Sequence, residues 1–231
     1  MLISYRHRFI FIHVWRTGGM SVTQALRPFT EWPEESISTK AKQALGFLPR
    51  SNAFPAHAGI RDLHRELTAD SLNSFFKFAI VRNPWDWQVS LYSYIRQNAR
   101  HRQHDLVCGM DSFEEYLHWR TAHHCQSQSD FITDPDGRLL VDFVGRYENL
   151  ERDFAVICSH LGVRTTLPKI NGSSHPHYSA CYNERCFDLV AEGFQQDINL
   201  LGYGMTRILG SAISRPDVEI GEQVLRKRRA A

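Results

Sequence analysis

The stretch "FIFIHVWRTGGMSV", residues 9–22, decides how the rest of the chain reads. Its first half is a run of β-branched and aromatic side chains without polar alternation, the pattern of a strand buried on both faces. This run, Phe9 to Val14, leads into Arg-Thr-Gly-Gly. After the glycines, "SVTQALRPF" spaces Val22, Ala25, Leu26 and Phe29 as a helix does, with Pro28 limiting it. A loop between a strand end and a helix start presents unbonded backbone N–H groups at the positive end of the helix dipole, which suits an anion. Gly18 and Gly19 allow close backbone approach, Thr17 and Ser21 offer hydroxyls, and Arg16 adds a permanent forked cation. A plain strand-to-helix turn is the blander reading of the same residues. The Gly-Lys-Ser/Thr ending of a nucleotide-triphosphate loop is missing, which argues against a P-loop kinase.

A second element repeats the design. "FFKFAIV", residues 75–81, reads as another buried strand and runs into "RNPWDWQVSLYSYIRQ". There Asn83 is placed to cap a helix, Pro84 takes its first position and Asp86 suits its positive end. Arg82 stands at the strand end and Ser90 two turns into the helix, a second pairing of cation and hydroxyl. A surface Arg82 paired with Asp86, and a serine bonded to its own helix backbone, would be the structural alternative. Two such elements at strand ends point to a ligand with two separate anionic groups.

Elsewhere "RDLHREL" and "DSFEEYLHWR" read as helices, the latter capped by Asp111. Asp136-Gly137 marks a turn before a third strand, "LLVDFVGRY", and a helix runs from Asn149 to Gly162. A last helix spans roughly Asn183 to Leu201. Strands alternating with helices predict an α/β fold whose parallel sheet is flanked by helices on both faces. Ligands then collect at the carboxyl ends of the strands, where both loops fall. The expected layout is one domain over residues 1–208, followed by a loosely ordered basic tail, 209–231, ending in "RKRR".

Composition narrows the class. The 231 residues, 42% hydrophobic and 23% charged, can bury one good-sized core, and a net charge of +2 does not suggest nucleic acid. Five cysteines form an odd set without a compact framework, so reduced thiols and a cytoplasmic setting are expected. No apolar run at the N-terminus is long enough for a signal peptide or membrane anchor. Neither "HHC" at residues 123–125 nor Cys181 with Cys186 has a common zinc spacing, so no metal site is expected.

At this point the two loops resemble a known family. "FIFIHVWRTGGMSV" is similar to the 5′-phosphosulfate loop of sulfotransferases that use PAPS (3′-phosphoadenosine 5′-phosphosulfate), commonly His-Ile-Pro-Lys-Thr-Gly-Gly-Thr-Ser. "FAIVRNPWDWQVSLYSY" resembles their 3′-phosphate motif, an Arg and a Ser eight residues later. "VDFVGRYENLERDF" and "DINLLGYGM" look like the carbohydrate-type branch, family 2. The resemblance covers about residues 9–205 and implies a P-loop-NTPase-like fold. It also implies a PAPS-dependent enzyme that moves a sulfuryl group to an acceptor hydroxyl, with a carbohydrate or glycoconjugate as the acceptor class, and without a metal. It makes Arg16, Thr17, Gly18, Gly19, Met20 and Ser21 the phosphosulfate cradle, and Arg82 and Ser90 the 3′-phosphate clamp.

Three departures bear on activity. Trp15 replaces the family's Pro, Met20 its Thr, and Arg16 the Lys that steadies the leaving phosphate. Arg keeps the charge and can bind phosphate through two bonds, but it is not a compact mobile donor. A PAP- or PAPS-binding protein without turnover is therefore the alternative. For the base that takes the acceptor's proton, His57 in "AHAGIRDLHREL" is the first choice, because the family often carries His-Ala-x-x-Arg here. A capping or buried histidine is the competing role. Glu66 and His13 are weaker candidates, and His64 is read as a surface or core residue. In "KINGSSHPHY", Asn171, Gly172 and Ser173 correspond to a nucleotide-side loop of related enzymes, or to an ordinary connection.

Overall fold

The computed structural model of the chain describes residues 1–30, 37–46, 54–123, 125–168, 170 and 177–203. Among these, the strands form one sheet in the order β1-β2-β3-β4. β2 is Phe9–Ile12, β3 is Phe76–Val81 and β4 is Phe143–Arg146. β2 pairs parallel with β3 in the register Phe9↔Phe76 to Ile12↔Ala79, and β3 pairs parallel with β4 from Phe78↔Phe143. β1, Leu2–Ser4, adds an antiparallel edge beside β2. That edge was not visible in the sequence, since three residues carry no periodicity.

β4 is shorter than the expected Leu139–Tyr147 strand. The Asp136-Gly137 turn does form, but it closes a small hairpin of its own, in which Leu140 N–H donates to Ile132 O at 2.9 Å and Leu139 bridges Thr133. Only then does the chain enter the sheet.

Both faces of the strands are buried, as their unbroken apolar runs require. On one face Phe9, Phe11, Phe76, Phe78, Ile80 and Phe143 pack with Val22, Ala25 and Leu26 of α1, Gly19–Leu26, and with Phe154 and Ile157 of α8, Leu150–Leu161. On the other, Ile10, Ile12, Ala79 and Val81 are equally buried around one charge, Lys77. Its Nζ donates to the carbonyls of Leu72 and Phe75 at 3.1 Å and meets Asp142 Oδ2 at 2.9 Å. Asp142 Oδ2 also accepts the Lys77 N–H, and Asp142 N–H returns a bond to Lys77 O. The pair is thus a satisfied ionic link just ahead of β4.

The remaining helices are short in the first half of the chain: α2 Ile37–Ala44, α3 Ile60–His64 and α4 Ala69–Asn73. They are followed by α5 Pro84–Gln97, α6 His104–Cys108 and α7 Phe113–His123. The last two are α9 Glu184–Gly193 and α10 Gln195–Leu200. The α7 cap is Ser112, whose Oγ accepts Glu115 N–H at 3.1 Å, rather than the expected Asp111. The predicted helix to Leu201 is broken at Phe194, which leaves helical geometry (φ −120°, ψ 28°) and is buried edge-on against Trp87. The described residues fall into two compact units: 1–81 with 130–170, and 82–129 with 177–203. Residues 209–231, the expected tail, lie outside the described residues.

Removing the carboxylate in Asp142→Ala leaves the Lys77 ammonium buried without its counter-charge. Urea unfolding of this variant should give a stability loss of about 3–5 kcal/mol.

Candidate functional site

In the first unit the chain leaves β2 at His13 and turns sharply into α1. Two residues of the turn adopt left-handed backbone: Arg16 at φ 60° and Gly18 at φ 78°. For a non-glycine residue such as Arg16 that geometry is strained, and strain of this kind gathers at functional loops. Thr17 is fully buried, and its Oγ1 donates to Val14 O at 2.8 Å. Its hydroxyl proton therefore closes the turn, leaving the loop's backbone to meet a ligand.

No side chain caps α1. Ser21 N–H and Val22 N–H both return to Gly18 O, at 3.0 and 3.3 Å, so Gly19 and Met20 supply the first-turn amides ahead of these bonds. Gly18 is hemmed in from behind, where an added Cβ would lie 2.7 Å from Leu150 Cδ2 and 3.2 Å from Tyr147. The "RYENL" segment after β4 thus buttresses the loop. Gly19 is tighter still, since a Cβ there would fall 2.0 Å from His13 Cδ2. Arg16 is half-buried, Ser21 is buried and Met20 is 55% exposed.

His13 is the hinge of this arrangement. Its ring lies on Gly19, stacks with Phe11 at 5.7 Å and meets the His57 ring at 4.8 Å. Burial first, then the charge of His57 and the N-terminal amine, lower its pKa to about 3, so at neutral pH it is an uncharged ring packed in the turn. The His13 carbonyl lies 3.0 Å from His57 Nδ1. A carbonyl can only accept, so Nδ1 donates this bond and Nε2 is the ring nitrogen left for other partners.

His57 is exposed and its ring stands edge-on to Trp15 at 6.0 Å, so the structure brings it to the loop. It precedes α3, and His64, on that helix, is exposed, as is Glu66. The His57 segment is anchored by Arg61, which donates through Nε to Thr133 O at 2.7 Å and through Nη2 to Asp134 O at 2.6 Å. Trp15 in turn packs edge-on to Phe131 at 5.0 Å.

In the second unit Asn83 caps α5 as expected, accepting Trp85 N–H at 3.0 Å. Arg82 is 4% exposed and its Nε donates to Asp86 Oδ2 at 2.6 Å, so the pairing with Asp86 is a buried one and not a surface contact. Ser90 is fully buried within α5. The sequence reading missed Gln128, whose side-chain amide bonds the Arg82 backbone twice, and Asp197, which holds Gln128. Asp197 lies in "DINLLGYGM", a segment already singled out, whereas "SQSDF" around Gln128 carries no signal. Asn171, Gly172 and Ser173 lie outside the described residues.

The Sulfotransferase family matches residues 1–203. The chain belongs to the sulfotransferase family. Its fold is similar to that of mouse sulfotransferase SULT7A1 complexed with PAP, with a TM-score of 0.52 and 13% identity over 99% of this chain and 91% of that one. Carbohydrate sulfotransferase 10 of Xenopus laevis is 24% identical over 88% of this chain and 67% of its own length. An uncharacterized protein of Archaeoglobus fulgidus is 29% identical over 46% of this chain and 84% of its own. Sulfotransferases of this family draw sulfate from PAPS, and among the described residues no His, Cys, Asp or Glu side chains group as a metal site.

Neutral, buried His13 makes stability depend on pH. Its folded pKa of about 3 lies below the ordinary 6.5. The unfolded state therefore takes up the extra proton, and this contribution is complete above about pH 6.5 and lost as pH falls toward 3. Urea midpoints should decline across that window, and His13→Gln should flatten the decline.

Proposed function

We propose that the protein transfers the sulfuryl group of PAPS to an acceptor hydroxyl, with a carbohydrate or glycoconjugate as the acceptor class. The observation that carries this reading is the uncapped α1 start behind a strained turn with Arg16 at φ 60°, in a chain of the sulfotransferase family. The carbohydrate class rests on the similarity to a relative named carbohydrate sulfotransferase 10.

The residues fit the donor. The Gly19 and Met20 amides, at the positive end of α1, suit the phosphosulfate. When bound, PAPS supplies an activated sulfuryl group on a phosphate leaving group. Arg16 offsets charge on that phosphate, which is where fixed cations contribute most to such transfers. Arg82 and Ser90 hold the 3′-phosphate. His57 accepts the acceptor's proton at Nε2, its ring orientation set by the Nδ1 bond to His13 O. Transfer then depends chiefly on positioning and charge.

The departure at Arg16 supports one further reading, binding of PAP or PAPS without turnover. Incubating the protein with labelled PAPS and a panel of glycans and small alcohols tests both. Sulfated product should form, and Arg16→Ala should reduce the rate about 10²–10³-fold, the cost of removing one such stabilising group. PAP binding without product, with activity appearing in Arg16→Lys, would establish the binding-only reading. No calorimetric binding of PAP at high micromolar concentration would overturn both.

A further inference from the structure

The bonds around Arg82 extend beyond its own side chain. Gln128 is fully buried and its amide pairs with the Arg82 backbone as a neighbouring strand would: Arg82 N–H donates to Oε1 and Nε2 donates to Arg82 O, both at 2.8 Å. The two bonds fix which end of the amide is oxygen. Gln128 itself is set by Asp197, also fully buried, whose two carboxylate oxygens accept the N–H groups of Gln128 and Ser129 at 2.8 Å each. Arg120, 3% exposed, donates through Nη2 to Gln126 O at 3.1 Å in the same loop. Its guanidinium lies over the rings of Trp87 and Phe194. Tyr116 first, then Cys125 and Asp197, partly offset the cost of burying it.

We infer that Gln128 and Asp197 are positioning residues for Arg82, and so determine selectivity for a nucleotide that carries a 3′-phosphate. A guanidinium can discriminate a phosphate only if it is held where the phosphate arrives. Asp86 orients the Arg82 side chain through Nε, while the Gln128 amide fixes the main chain from which that side chain springs. Asp197 acts one step further back, since charge-assisted bonds to two successive amides hold the Gln128 loop in a single register. All of these groups lie in the second unit. The inference rests on the reading of Arg82 as the 3′-phosphate ligand.

Calorimetric titration of the full chain with PAP and with AMP tests it, because the two probes differ only in the 3′-phosphate. Arg82→Ala should collapse the ratio of PAP to AMP affinity. Gln128→Met keeps the side chain's length but loses both amide bonds, and should lower the ratio about tenfold with AMP affinity unchanged. Asp197→Asn should move it the same way. Gln128→Glu, which retains only the acceptor toward Arg82 N–H, should give a smaller drop and serves if the Met variant does not fold. A ratio lowered by Arg82→Ala but unmoved by the Gln128 variants would overturn the positioning role and leave the 3′-phosphate reading intact. The role is equally overturned if those variants weaken PAP and AMP alike. A ratio unmoved by Arg82→Ala would overturn the 3′-phosphate reading itself.

Discussion

The hydrogen bond from Thr17 Oγ1 to Val14 O closes the turn on which the site of the first unit rests. The turn in turn requires Arg16 and Gly18 to adopt left-handed backbone, and it sets Gly19 against the His13 ring. Each neighbour then has its own backing: Tyr147 and Leu150 behind Gly18, Phe11 and His57 beside His13. A local bond between side chain and backbone thereby fixes where the first helical amides stand, and the sheet beneath makes that position rigid.

Charge is handled in two contrasting ways. Lys77 and Asp142 are buried together, with backbone carbonyls and amides completing their bonds, so the pair is wholly structural. Arg82 is as deeply buried, yet its carboxylate partner, Asp86, sits in the first turn of the helix that follows, and its main chain is held by a neutral amide. The first arrangement spends the cation on the fold. The second places the cation and its partner at the start of a helix.

What could be read from the sequence, and what could not, follows from range. Strands β2 and β3, with their unbroken apolar runs, and helices α1, α5 and α8, with cap, proline and amphipathic spacing close together, were all legible because their determinants are local. So were the two strand-to-helix turns that carry Arg16 and Arg82, which are contiguous motifs. β1 carries too few residues for a period to emerge, α2 ("ISTKAKQA") is too polar to show an apolar stripe, and the hairpin at Asp136-Gly137 consumed residues that looked like strand. His13 looked like a weak candidate base; only the close approach of Gly19, distant in no sequence sense but invisible to pattern, identifies it as packing. Gln128 and Asp197 are 46 and 115 positions from Arg82 along the chain, and an amide that imitates a neighbouring strand leaves no trace in composition.

That imitation has a consequence for the protein's internal motions. The Arg82 amide follows directly on β3, yet its bond goes to a side chain, Gln128 Oε1, and not to a sheet carbonyl. Exchange of that amide therefore requires the 126–129 loop, which the Asp197 carboxylate clasps, to open. A single backbone amide at the end of a central strand thus reports on the local stability of a loop more than 40 residues away.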